Sequence, residues 1–293
     1  MSAPLSPRMA AMGFFIKQTS RLPRGLAEHI FSAAGLIEAV AAPRRAAAAY
    51  AWAGAQGPST LGRWQILASL LAHRGRRFVY SWAPVFEEPA QFRSRVRLEG
   101  RQHLDAVVGR PSILLGFHVG LPAVGPALNA YGYNVITAAA GSLHFLDWAT
   151  AQPGWSWNRE NRVRFPLHAD ADRARALALH RLRGLLLAGR TLRMIGDGTL
   201  GRELFRVPLP IGALVVRSVW WWLRRQTGAA VVPVLGYRDG AGAVVTAYPP
   251  LPGPGSDEAQ DLERCRAELG PLIHDFIVRH ADQCLPWRFD GFM

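Results

Sequence analysis

With 293 residues, 49% of them apolar, the chain is long enough for one large α/β domain or two small ones and holds ample material for a core. Its 34 basic residues against 21 acidic ones leave a formal net charge of +13, and because Lys17 is the only lysine that charge is almost wholly arginine. Two cysteines, Cys265 and Cys284, exclude a disulfide framework and a cysteine-based zinc site, and no uninterrupted apolar run reaches the roughly 18 residues of a membrane span.

An excess of guanidinium groups favours an anionic partner, because arginine grips phosphate and carboxylate bidentately. Nucleic acid is read out: the arginines are scattered, and no helix-turn-helix, zinc finger or RNA-binding signature is present. Anionic lipid and an acidic carrier remain. The start "MSAPLSPRMAAMGFFIKQTSRLPRG" lacks the long apolar region of a secretory signal.

In chain order, residues 1–90 read as helices. Leu26–Ala42 places Ile30, Ala33, Ala34, Ile37 and Val40 at helical spacing and ends at Pro43; an alanine-rich helix follows. "STLGRWQILASLLAHRGRRFVYSWAP" opens on a Ser/Thr cap signal and sets Trp64, Leu67, Leu71 and Phe78 along one stripe. Arg74, Arg76 and Arg77 beside Phe78, Tyr80 and Trp82 suit a membrane interface or a helical cap over a core.

Residues 91–293 change to strand–helix alternation. "RVRLEG" alternates as a strand, "RQHLDAVVG" is a short helix and "PSILLGF" a continuous apolar strand. "LPAVGPALNAYG" reads as helix, "YNVITAAA" as strand, "ADRARALALHRLRGLLLAG" as helix and "TLRMIGDG" as strand. A helix through "LVVRSVWWWLRRQTG", the strands "AAVVPVLGYRD" and "GAVVTAYPP", and a last helix from about Asp257 to His280 complete the chain. The pattern predicts an α/β fold with a mostly parallel central sheet flanked by helices, preceded by an N-terminal helical, membrane-interface region.

Ligands of open α/β sheets gather at the carboxyl ends of strands. His118 stands at such an end, after "ILLGF", with Gly120 for a tight turn and Pro122 for the first turn of a helix. A histidine there suits removal of a hydroxyl proton near neutral pH; a hydrogen-bonded histidine beneath a loop is the plainer alternative. Asp197, between Gly196 and Gly198, follows the apolar strand "RMI" in the same way, and a turn aspartate is its plainer reading. "WSWNRENRVRF" supplies Arg159, Arg162 and Arg164 as candidate phosphate-binding groups. The spacing of "HADAD" fits no common metal set, and its acids cap the helix that follows, so no metal site is read.

Taken together and in order, "RVRLEGRQHLDAVVGRPSILLGFHVG", "GRTLRMIGDGTLGRELFRVPL", "RRQTGAAVVPVLGYRD" and "RCRAELGPLIHDFIVRHADQCLPWRF" resemble the catalytic block of the lipid A late acyltransferase family, within the lysophospholipid acyltransferase-like superfamily. The resemblance spans roughly residues 90–290. It implies metal-independent transfer of a fatty acyl group from an acyl carrier protein or coenzyme A thioester to a hydroxyl or amine of a lipid or glycolipid, with no cofactor. It implies a peripheral protein on the cytoplasmic face of the bacterial inner membrane, in contact with anionic lipid. His118 matches the family's general base, Gly120 the following glycine and Asp197 the aspartate of the second block. The family's acid, five residues after the histidine, is Ala123 here, and the aromatic after the histidine is Val119. Asp197 and Asp147 are the carboxylates placed to substitute. Three functions follow: an active acyltransferase, an inactive relative that binds lipid or acyl carrier or scaffolds a biosynthetic complex, and a transferase to a small soluble acceptor.

Overall fold

The computed structural model describes residues 13–15, 17–19, 21–56, 62–82, 87–140, 162–165, 172–198, 201–240 and 242–290. Three long helices come first, α1 (Arg24–Ala41), α2 (Pro43–Ala55) and α3 (Arg63–Trp82), then the short α4 (Pro89–Arg93). The alternating region follows as β1 (Val96–Glu99), α5 (Arg101–Asp105), β2 (Ser112–Gly116), α6 (Val124–Ala130), β3 (Ile136–Ala140), β4 (Arg162–Phe165), α7 (Asp172–Leu187) and β5 (Thr191–Ile195). A hairpin of β6 (Glu203–Pro208) and β7 (Ala213–Arg217) leads to α8 (Val219–Thr227), β8 (Ala230–Asp239), β9 (Gly242–Ala247) and α9 (Glu258–Arg279). Two 3-10 turns, Ala281–Gln283 and Pro286–Arg288, close the described chain.

The fold is α/β. Seven strands form one sheet in the order β1–β9–β8–β2–β5–β3–β4, with every neighbouring pair parallel except the β8–β9 hairpin. β2 lies near the middle and buries all five of its residues, which is why "SILLG" reads as a continuous run without alternation. Successive side chains of β2 feed opposite faces. Ile113 and Leu115 join one core with Leu182, Leu186, Trp220 and Ile273; Leu114 joins the other with Leu121, Ala127, Leu128 and Val232.

The N-terminal helices share these cores. Ala49, Trp52, Ile66 and Leu70 belong to the first and Phe31 and Tyr80 to the second. Trp52 also donates to the carbonyl of Ala281 at 3.0 Å and packs on Phe289, while Ser69 donates to Asp282 at 2.8 Å. Tyr80 donates to the carbonyl of Gly242 at 3.1 Å. These bonds dock α2 and α3 on the closing segment and on the sheet.

Two sequence readings change here. The helix expected through "LVVRSVWWWLRRQTG" is two elements: Ala213–Arg217 pairs antiparallel with β6, and helix begins only at Val219. Leu214 and Val216 are buried between half-exposed neighbours, so the period there is 2, and the following tryptophans hid the switch. The stretch "RVRF", read within a phosphate-binding loop, is edge strand β4. In α1 the inward positions are Ala27, Glu28 and Phe31, whereas Ile37 of the predicted stripe is 72% exposed, and Leu26 and Leu36 are exposed as well. No helix among the described residues is long and apolar enough to cross a membrane.

Candidate active site

The site follows from one register. β2 and β5 are adjacent and parallel, with Ser112 opposite Thr191 and Gly116 opposite Ile195. Two residues past each strand end, His118 and Asp197 are therefore side by side at the carboxyl edge. The turn beneath them is tight. The Gly196 amide donates to the carbonyl of Gly116 at 2.8 Å, and a Cβ on Gly196 would meet the Phe117 ring at 2.6 Å. Only glycine fits there.

Asp197 makes three contacts to one residue. The His118 backbone N–H donates to Oδ1 at 2.9 Å and to Oδ2 at 3.1 Å, and imidazole Nδ1 lies 3.2 Å from Oδ1. A carboxylate only accepts, so Nδ1 carries the hydrogen and Nε2 keeps its lone pair. The Asp197 side chain is 6% exposed and the His118 side chain 31%: the acid is sealed below and the ring faces outward. This orientation suits proton abstraction by Nε2.

Gly120 makes the turn expected of it, with φ of +62°. A Cβ there would lie 2.0 Å from the carbonyl oxygen of Gly236, a clash no side chain relieves. Its carbonyl accepts from Arg77 Nη1 at 2.7 Å and from His73 Nε2 at 3.2 Å, and the next amide, Leu121 N–H, donates to Gly236 at 2.7 Å. Burial pushes the Cys284 thiol up to about 12, against a smaller opposing effect of the Gly120 backbone. Both cysteines are buried and free, as core thiols are. Burial and, second, repulsion from Arg288 bring the Arg77 guanidinium down to about 10, with Asp197 acting in the opposite sense. His73 is buried and its pKa lies well below the ordinary histidine value, through burial first and Arg77 second.

The remaining expected residues fall elsewhere. Arg159 and Asp147, and the "HADAD" segment up to Ala171, lie outside the described residues. Arg162 opens edge strand β4; Thr137 aligns with both Arg162 and Arg193, and Arg193 with Leu114. Its backbone is thus three strands from β2, about 14 Å at normal strand spacing, and level with a residue four short of His118. The register does not bring Arg162 to the pair. Ala123 is fully buried at the start of α6, within the apolar cluster of Leu121, Val124 and Val232. No cluster of three or more metal-ligating side chains occurs among the described residues.

Inspection of the sequence missed His73 and gave Arg77 to a membrane interface or helical cap, whereas its guanidinium turns inward to the Gly120 carbonyl. His73 continues the buried face of α3, in which Ile66, Leu70, His73 and Tyr80 are buried at intervals of four, three and seven residues, and Arg77, half-buried, follows one turn on. A polar residue at a core position of a helical stripe was the available signal.

No protein-family model matches the chain, and no curated protein matches it. Among solved structures, the chain is similar to the 1-acyl-sn-glycerophosphate (LPA) acyltransferase of Thermotoga maritima. The two are 14% identical with a TM-score of 0.44, over 88% of this chain and 98% of that one.

Proposed function

We propose that the protein is a metal-independent acyltransferase that moves a fatty acyl group from an acyl carrier protein or coenzyme A thioester to a hydroxyl or amine of a membrane lipid. The observation that carries the reading is the His118–Asp197 pair, with Nδ1 on a sealed carboxylate and the ring itself partly exposed. The ordered resemblance of four segments to the lipid A late acyltransferases gives the pair its chemistry. Asp197 takes the part that the family gives to the acid at position 123.

In the proposed reaction, Nε2 takes the proton of the acceptor hydroxyl while its oxygen attacks the thioester carbonyl carbon. Collapse of the tetrahedral intermediate breaks the C–S bond. The leaving thiolate receives the proton from the imidazolium, whose charge Asp197 steadies. A +13 chain accords with an acidic carrier and an anionic surface, and exposed Leu26, Leu36 and Ile37 on α1 accord with contact at a bilayer interface.

The test is transfer from acyl carrier and coenzyme A thioesters to lysolipid and glycolipid acceptors. His118→Ala abolishes transfer and Asp197→Asn lowers it by about 10⁴-fold, as loss of the orienting acid does in a hydrolytic triad. Full activity of His118→Ala sinks the mechanism. Absence of transfer by the wild type, with acyl donor still bound, favours the inactive binding relative.

A further inference from the structure

The turn carrying His118 is held from outside the sheet. The Gly120–Leu121 peptide is fixed at both ends: its carbonyl by Arg77 and His73 of α3, its amide by Gly236 of β8. Gly120 has no freedom to adjust, since its φ of +62° and its contact with the Gly236 carbonyl admit no other residue. Two residues upstream, the His118 amide is held by both Asp197 oxygens. The segment from His118 to Leu121 thus hangs between β5, β8 and α3.

Of the three supports, the one from α3 is the costliest to keep. Arg77 places a charged group against a neutral carbonyl, and no carboxylate forms an ion pair with it among the described residues. His73 leaves Nδ1 without a partner there in order to reach the same oxygen. Core packing of α3 alone asks for neither, since Ile66, Leu70 and Tyr80 already seat the helix. A buried and a half-buried polar side chain, converging on one oxygen two residues from the ring, serve the turn rather than the helix.

We infer that Arg77 is a positioning residue of the His118 site: by holding the Gly120 carbonyl toward α3 it fixes the turn, and through the turn the Nδ1 bond from His118 to Asp197. His73 assists from the same side. The activity arm of its test rests on the acyltransferase reading, and a spectroscopic arm does not.

The experiment compares wild type, Arg77→Met and Arg77→Lys, with near-UV circular dichroism to verify the fold. The first readout is the low-field NMR resonance of the His118 Nδ1 hydrogen, assigned by its absence in His118→Gln. It is expected in wild type and in Arg77→Lys and lost to exchange in Arg77→Met. The second is steady-state transfer: kcat of Arg77→Met falls roughly 10²-fold with KM unchanged, and Arg77→Lys recovers about tenfold of that loss, the scale set by misplacement of a catalytic group by about 1 Å. A folded Arg77→Met that keeps both the resonance and kcat overturns the inference. So does a loss confined to KM, which would make Arg77 a substrate contact. If Arg77→Met does not fold, Arg77→Lys decides on kcat: the expected shortfall of about tenfold against wild type upholds the assignment, and a wild-type kcat leaves Arg77 a folding residue and overturns it. If wild type shows no transfer, the acyltransferase reading fails alone and the resonance still decides the role of Arg77.

Discussion

Ala123→Glu places an acid five residues after His118, where the lipid A late acyltransferases carry one, and the structure predicts damage rather than repair. Ala123 is fully buried among Leu121, Val124, Ala127 and Val232. Its φ of −75° and ψ of −12° are helical, so it lacks the extended backbone from which a side chain caps the first amides of a helix. Capping would return only about 1 kcal/mol in any case. Against it stands a carboxyl group in an apolar core, where burial raises such a pKa by up to 3–5 units, so that the group stays protonated in the native state at pH 7 at a cost of about 3.7 kcal/mol, the roughly 2.7 units from 4.3 to 7 at 1.36 kcal/mol per unit. Four added heavy atoms in a filled space cost about 1–3 kcal/mol more. The sum, about 5–7 kcal/mol, is comparable to the lower part of the roughly 5–15 kcal/mol that holds a domain folded. The sign with pH is also fixed. A folded-state pKa above the unfolded value of about 4.3 means that the native state binds more protons, so the variant loses stability as pH rises from about 4.3 toward the raised pKa. Urea unfolding at pH 5 and pH 8, followed by circular dichroism, reads this directly. The midpoint of Ala123→Glu should fall well below wild type, and further at pH 8. A wild-type midpoint at both pH values with increased transfer would refute the reasoning and return the acid's role to position 123.

Stability of the wild type should decline as pH falls below about 6.5. His73 is held neutral by burial and by Arg77, so the unfolded chain binds a proton that the native chain does not, at a slope of up to about 1.4 kcal/mol per pH unit. His73→Gln should flatten this loss in urea midpoints taken from pH 7.5 to pH 5; an unchanged slope would remove His73 as its source. On vesicles containing anionic lipid, flotation should weaken with salt and with Leu26→Asn, Leu36→Asn and Ile37→Asn combined, since those side chains stand exposed on α1. Equal flotation of the triple variant would take the docking role from this helix.

The strand–helix alternation of the sheet was plain in the sequence because buried parallel strands are short apolar runs between polar helices. His118 and Asp197 each stood out for the same reason, at the end of "ILLGF" and of "RMI". Their pairing is only one of two options in the sequence, beside Asp147. It depends on β5 inserting between β2 and β3, and strand order is a tertiary fact that periodicity does not carry. α3 misled in a second way. Its apolar residues Trp64, Leu67 and Leu71 suggested one face, yet Trp64 is 68% exposed, and the interior is reached by Ile66, Leu70 and His73. Polar residues at core spacing look like surface until a buried carbonyl is found for them to bond.

The ring and its acid come from positions 79 residues apart in the chain. A nascent polypeptide that has only just displayed the histidine therefore has nothing to orient it. Competence arrives when the strand ending at Ile195 joins its neighbour in register, well after the N-terminal helices have left the ribosome. A chain with both groups in one local turn would assemble its pair early; this chain acquires its pair late, as a by-product of completing the sheet.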